Sequence, residues 1–113
     1  MNDKELADAV VALGVGCARL DKYQVAPVTD NVREYGSAKW FVRDWRVAGA
    51  LMERVYEKRY SFMVMQMPDE KPMMTIQQPL TAENDQKNWA AQVVNESLPR
   101  AIIEACVEAI GGH

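Results

Sequence analysis

Residues 60–78, YSFMVMQMPDEKPMMTIQQ, carry the clearest β-strand pattern in the chain. Two apolar runs, at about 60–67 and 73–78, flank a polar segment that begins and ends with proline. Extended runs around a short polar turn are typical of an antiparallel hairpin. The stretch therefore predicts two neighbouring antiparallel strands, on which a small sheet is built.

The first strand of this hairpin is apolar on both of its faces. Because successive side chains of a strand alternate between faces, the methionines of this strand lie together on one side. These are Met63, Met65 and Met67, whereas the opposite side carries Tyr60, Phe62 and Val64. Such a strand is either central and covered on both sides, or it offers one face to a partner. The sequence leaves both alternatives open.

Amphipathic patterns predict helices on either side of the hairpin. The three best-defined helices span about residues 3–14, 44–58 and 97–110. Asn2, with Glu5 three residues later, forms a capping-box pattern at the start of the first helix. Asp44 and Ser97 are suitable caps for the other two, because a side-chain oxygen there can accept from first-turn backbone N–H groups. A further helical stretch is predicted from Thr81 through 94.

Periodicity also assigns the sides of these helices. Trp45 and Tyr56 fall on the broad apolar face of the 44–58 helix, which predicts that both are buried. The 97–110 helix is apolar around more than half of its circumference and should be the most deeply buried element. Its solvent side is predicted from its charged residues, which are Arg100, Glu104 and Glu108.

Length and composition indicate one globular domain. The chain has 113 residues, of which 49% are hydrophobic and 26% charged. We expect residues 1–113 to form a single compact α/β sandwich of the α+β class, with the helices packed on a small, mostly antiparallel sheet. No apolar run approaches the roughly 18 residues of a membrane span, and the charged N-terminal segment is unlike a secretion signal. We therefore expect a cytoplasmic location and no membrane partner.

The residues needed for common catalytic and metal sites are scarce. His113 is the only histidine, and the two cysteines, Cys17 and Cys106, lie far apart in the sequence. Nucleophilic triads and tetrahedral zinc sites need more of these groups. Cys106 lies in an apolar helical stretch, where a small buried hydrophobe is the simplest interpretation. We expect no catalytic residue, no metal site and no cofactor.

Carboxylates are plentiful and leave one enzymatic hypothesis. Glu53 with Glu57, and Glu104 with Glu108, are spaced to share a helix face, and such pairs can serve acid–base chemistry. Both pairs fall on the polar side of a helix, where solvation is the usual explanation. A small carboxylate-based enzyme is therefore the lowest-ranked hypothesis.

An interaction surface is the first hypothesis for function. Interface anchors are often Trp, Tyr or Arg, and methionines form adaptable apolar contacts. Trp40, beside Lys39 and Arg43, is the best candidate for an exposed anchor. The predicted surface comprises Trp40, Arg43, Arg46, Met63, Met65 and Met67, and its partner is an unknown protein or a second copy of this chain. The competing interpretation places Trp45 in the core and uses the methionines to fill the sheet.

The distribution of charge supplies the alternative hypothesis. The chain has a formal net charge of −3, which argues against non-specific nucleic-acid binding. Residues 39–59 nevertheless hold six bases and three acids, and most of these bases should line the outer side of one helix. Nucleic-acid binding through this basic face is the alternative to binding protein.

Two segments resemble a family of small uncharacterised proteins from tailed bacteriophages and prophages, those with the phage ABA-sandwich domain. They are residues 37–53, SAKWFVRDWRVAGALME, and residues 96–111, ESLPRAIIEACVEAIG, which together cover 33 residues. The resemblance implies a sheet layered between helices and a bacterial host cell. It implies no activity, and it is compatible with an accessory phage protein that works by binding.

Overall fold

The computed structural model describes residues 1–13, 20–21, 24–25, 38–78 and 89–111. The helices in these ranges are α1 (Asp3–Ala12), α2 (Ala38–Phe41), α3 (Trp45–Glu57) and α4 (Leu98–Ile110). The strands are β1 (Leu20–Asp21), β2 (Gln24–Val25), β3 (Ser61–Met65), β4 (Met73–Gln77) and β5 (Trp89–Val94). The hairpin and the three principal helices predicted from the sequence are all present, which confirms a compact α+β fold.

Local capping interactions begin the three long helices. Asn2 Oδ1 accepts from the backbone N–H of Glu5 at 2.8 Å, and Glu5 Oε1 accepts from the Asn2 backbone at 3.0 Å. The Asp44 carboxylate accepts from the backbone of Arg46 at 2.7 Å. Ser97 Oγ accepts a hydrogen bond at 3.3 Å from the backbone N–H of Arg100, three residues further along the chain. Each cap satisfies a donor that the helix itself leaves without a partner.

Gly49 gives a stability prediction in the middle of α3. It is exposed, and a Cβ added there would have no atom within 4 Å. Alanine is favoured over glycine inside a helix by about 1 kcal/mol. We expect Gly49→Ala to raise the free energy of unfolding by about 0.5–1 kcal/mol, measured as a higher urea midpoint with an unchanged slope. A midpoint that stays the same or falls would show that the position is constrained by more than helix propensity.

The three longer strands form one antiparallel sheet in the order β3–β4–β5. On one side of this sheet, Met74 and Ile76 of β4 and Ala91 and Val93 of β5 are buried in the same core cluster as α4. Helix α4 contacts β4 and β5 on this side, and α3 packs against α4. Helix α4 therefore lies at the centre of the core, as its apolar circumference predicted. The pair β1–β2 forms a separate two-stranded antiparallel sheet.

The predicted helix over residues 81–94 is wrong for its last part, because residues 89–94 form strand β5. Ala91 and Val93 are buried, whereas Gln92 and Val94 between and after them are exposed. This period of two matches a strand with one covered face. Residues 81–88 lie outside the described residues.

The predicted burial of Trp45 and Tyr56 is also wrong. Trp45 is 59% exposed and Tyr56 is 73% exposed. The side of α3 that packs into the core is a narrower stripe of smaller residues, namely Val47, Ala48, Leu51 and Val55. Trp45 and Tyr56 lie near the two ends of the helix, beside this stripe. The apolar face seen in the sequence is therefore broader than the part of α3 that the core buries.

No helix in the described part of the chain is long and apolar enough to cross a membrane.

Candidate interaction surface on the sheet

Strand β3 is an edge of the three-stranded sheet, and its position is set by the end of α3. The chain leaves α3 through Arg59, whose φ of 65° lies in the left-handed region. The backbone N–H groups of Arg59 and Tyr60 donate back to the last turn, at 2.9 Å to Tyr56 and 3.2 Å to Val55. This turn directs the chain into β3. Among the described strands, β3 pairs with β4 alone.

Every residue of β3 is exposed. Phe62 and Val64 point to the helix side, because they pair across the sheet with the buried Ile76 and Met74. They remain 36% and 41% exposed, since α4 packs over β4 and β5 instead of over β3. Of the two alternatives that the sequence left open, the strand is therefore not central and covered. Both of its faces reach solvent.

The opposite side of the sheet, which we call the open face, carries the methionines of the hairpin. Met65, Met73 and Val94 are direct neighbours across the three strands and form an apolar row. The next row on the same face includes Met63, which pairs with Thr75. Met63 is 53% exposed, Met65 43% and Val94 55%. On the central strand of this face, Met73 is half-buried and Thr75 is 3% exposed. The exposed apolar side chains of the open face therefore lie along β3 and at Val94, with Met73 between them.

A hollow of about 350 Å³ lies at the hairpin end of the open face. Its lining residues are Met65, Met67, Met73 and Val94, with Glu70 and Lys71. The side-chain amide of Gln92 donates to Met73 Sδ at 3.0 Å, which fixes one methionine of this wall. The hollow therefore has an apolar lining and two rim charges of opposite sign, an arrangement suited to an apolar side chain of another molecule.

The predicted basic residues lie on other elements, and several are engaged within the chain. The Arg43 guanidinium donates to the Lys39 carbonyl at 2.9 Å and lies 3.2 Å from Asp3 Oδ2. Arg46 forms a 2.9 Å ion pair with Asp44, the cap of its own helix. Arg54 donates to the carbonyl of Leu13.

Only part of the predicted surface is brought together. Met63, Met65 and Met67 share one region of the hairpin, whereas Arg43 lies in the turn before α3 and Arg46 in the first turn of α3. The Trp40 side chain lies outside the described residues, although its backbone is part of α2. The methionines and the arginines of the predicted surface therefore lie on different elements.

Arg100 is buried, which corrects its predicted place on the solvent side of α4. It is 7% exposed. Its Nε lies 3.0 Å from Asp3 Oδ1 without hydrogen-bond alignment, and its Nη1 lies 3.3 Å from Glu104. Nη2 donates to the Met1 carbonyl at 2.8 Å. The Arg100 side chain is long enough to reach from α4 to Asp3 in the first turn of α1, so the ion cluster links the two helices.

The two acidic pairs differ in their surroundings. Glu53 and Glu57 are both exposed. Glu104 is bound to Arg100, and the pKa of Glu108 is raised by partial desolvation and by the nearby charge of Glu104. Within the described ranges, no group of three or more His, Cys, Asp or Glu residues is placed to hold a metal ion.

Cys106 is fully buried, as the sequence predicted. Burial raises the pKa of its thiol to about 12, so the thiolate that reacts with electrophiles is scarce at neutral pH. This cysteine is a packing residue of α4. Cys17 and His113 lie outside the described residues.

Comparison of the chain with protein-family models, curated proteins and solved structures finds no match. A functional argument therefore depends on the chain's own residues.

Val94 is the surface residue that the sequence interpretation missed. The sequence predicts a helix at this position, and helical periodicity does not place Val94 on the same face as the methionines. Residues 89–94, WAAQVV, show no alternation of apolar and polar residues, so the sequence alone carries no clear signal for this strand face.

Proposed function

We propose that this chain is a non-enzymatic protein-interaction module that binds through the open face of its sheet. The observation that carries the proposal is the exposed apolar surface of the hairpin and β5. Met63, Met65, Met67 and Val94 are each between 43% and 55% exposed. Contiguous apolar surface of this kind is typical of interaction sites, because leaving it in water is unfavourable.

The chemistry of the open face indicates the kind of partner. Methionine side chains are unbranched and polarizable, so they repack around apolar groups of different shapes. The rim carries Glu70 and Lys71, which gives no preference for a partner of one charge. The expected partner is a protein that inserts one or more apolar side chains into the hollow and covers the neighbouring row.

The sequence resemblance supports an accessory role in a phage-infected or prophage-carrying bacterial cell, in the cytoplasm. Its second segment, residues 96–111, includes the buried core of α4, and its first, residues 37–53, includes the N-terminal part of α3. These segments build the scaffold beneath the sheet. The open face lies outside both of them, so any partner specific to this protein is set by residues 63–73 and 94.

The basic face is less suited to binding than its composition suggested. Of its six bases, Arg43, Arg46 and Arg54 contact carboxylates or carbonyls of this chain. Phosphate binding would have to replace those contacts, with a cost that free cations do not have. We therefore retain protein binding as the proposed function.

A pull-down with two matched variants tests this proposal. Val94→Lys places a charge in the hollow, whereas Tyr56→Lys places the same charge on exposed α3, away from the open face. We expect a protein that is retained from bacterial lysate by the wild type and by Tyr56→Lys. Its recovery should fall about tenfold or more with Val94→Lys, as for loss of one interface anchor.

Both variants should keep the wild-type stability within about 0.5 kcal/mol, because both sites are exposed. Urea unfolding checks this. Equal retention by all three proteins, or retention of none by the wild type, would contradict binding through the open face.

A further inference from the structure

The outer edge of β3 is a second unpartnered feature, distinct from the open face. Natural edge strands are commonly guarded by lysine, proline or a bulge, because a free edge can pair with another chain. Residues 61–65 contain no charge and no proline, and their register with β4 is unbroken over all five residues. No described element pairs with this edge.

A chain that covered this edge would have to meet two requirements. It would have to be extended, since the free groups are those of a strand. It would also have to be uncharged and apolar on both faces, because Phe62 and Val64 line the edge on the helix side and Met63 and Met65 on the open side. Strand β3 itself meets both requirements.

We propose that β3 pairs antiparallel with β3 of a second copy of this chain, about a two-fold axis at Met63. Centring on the middle residue allows all five residues to pair and places Met63 opposite its own equivalent. Phe62 then lies opposite Val64 of the second copy, and aromatic with β-branched pairs stabilise antiparallel strands. The two sheets become one sheet of six strands. This inference rests on the proposed function to the extent that both assign binding to exposed apolar residues of β3.

Charges beyond the strand ends favour this orientation. Glu57, Lys58 and Arg59 precede β3 and together carry a net charge of +1. Asp69, Glu70 and Lys71 follow it with a net charge of −1, and all six are exposed. In the antiparallel pair, the basic end of one β3 meets the acidic end of the other at both ends of the interface. A parallel pair would bring Lys58 and Arg59 of the two copies together. Opposite charges attract across an interface and like charges repel, so the antiparallel pair is favoured.

A charge-swap experiment on residue 63 tests both the partner and the register. We expect the wild type to be a dimer of 12.8 kDa chains by light scattering. Met63→Lys and Met63→Glu should each raise the dimer dissociation constant by about tenfold or more, since each places like charges directly opposite each other. Mixing the two variants should restore dimers, because the facing charges are then opposite.

Val94→Lys is the matched control, because it adds the same charge to the same side of the sheet on β5 instead of β3. It should remain a dimer. Circular dichroism and urea unfolding verify that every variant is folded, which is expected since residue 63 is 53% exposed.

Three results would overturn the inference. One is a wild type that stays a monomer throughout a dilution series, and another is a dimer that both Met63 variants retain. The third is a mixture of the two variants that stays monomeric, which would exclude the two-fold register. If the wild type is a monomer and a different protein binds the β3 edge, self-pairing is likewise excluded.

The same proteins separate this inference from the proposed function. A wild-type monomer that captures a protein through Val94 would leave the open-face proposal standing and remove self-pairing. A wild-type dimer that captures no other protein would support self-pairing and contradict the open-face proposal.

Discussion

Arg100→Met should lower the free energy of unfolding by about 2–4 kcal/mol, one of the largest effects of any single substitution in this chain. Arg100 is 7% exposed and lies within 3.3 Å of both Asp3 and Glu104. Removing Arg100 leaves Glu104 partly desolvated without its counter-charge and leaves Asp3 with Arg43 alone. We place the effect slightly below the usual range because the side chains of Asp3 and Glu104 are 32% and 18% exposed.

Methionine is the informative replacement, because it retains the aliphatic length of arginine and removes the charge. Urea unfolding at neutral pH measures the loss. Arg43→Met is the matched control, since Arg43 binds the same carboxylate of Asp3 at 3.2 Å but is 29% exposed. Its loss should cost about 1 kcal/mol or less, as for exposed ion pairs. Equal losses for the two variants would show that burial does not determine the strength of this cluster.

The features that local chemistry determines were predictable from the sequence. The caps at Asn2, Asp44 and Ser97 involve residues two or three positions apart, so their patterns are visible in any short window. The β3–β4 hairpin is similarly local. Because side chains alternate along a strand, the sequence alone predicts which residues of the hairpin share a face.

The features that depend on distant elements were not predictable in the same way. Whether β3 is an edge or a central strand depends on β5, which pairs with β4 instead. The placement of Arg100 depends on α1, about 100 residues away in the sequence, whose first turn accepts its charge. The periodicity of one helix cannot distinguish a charge that faces water from a charge that faces a carboxylate on another helix.

The candidate surface shows the same division. Met63 and Met65 lie two residues apart on β3, and Met67 follows just beyond the strand, so their proximity is a local feature of the sequence. Their exposure and the contribution of Val94 are tertiary properties. They depend on which side of the sheet α4 covers, and the sequence pattern of β3 is apolar on both sides.

The second large effect is expected for Met74→Ala. Met74 is fully buried between the sheet and the helices. Truncating a buried methionine to alanine costs about 2–5 kcal/mol, because transfer free energy is lost and a cavity remains. Met63→Ala is the matched control on the neighbouring strand, with the same chemical change at a side chain that is 53% exposed. In the monomer it should change the free energy of unfolding by about 0.5 kcal/mol or less.

The comparison of these two variants also bears on the β3 edge. If β3 pairs with a second copy, Met63→Ala should weaken the dimer, and its apparent cost in urea unfolding should rise with protein concentration. The cost of Met74→Ala should show no such additional dependence. A large cost for Met63→Ala at every concentration would mean that Met63 is covered within its own chain. The open face would then be part of the core, and both the proposed function and the self-pairing of β3 would lose their basis.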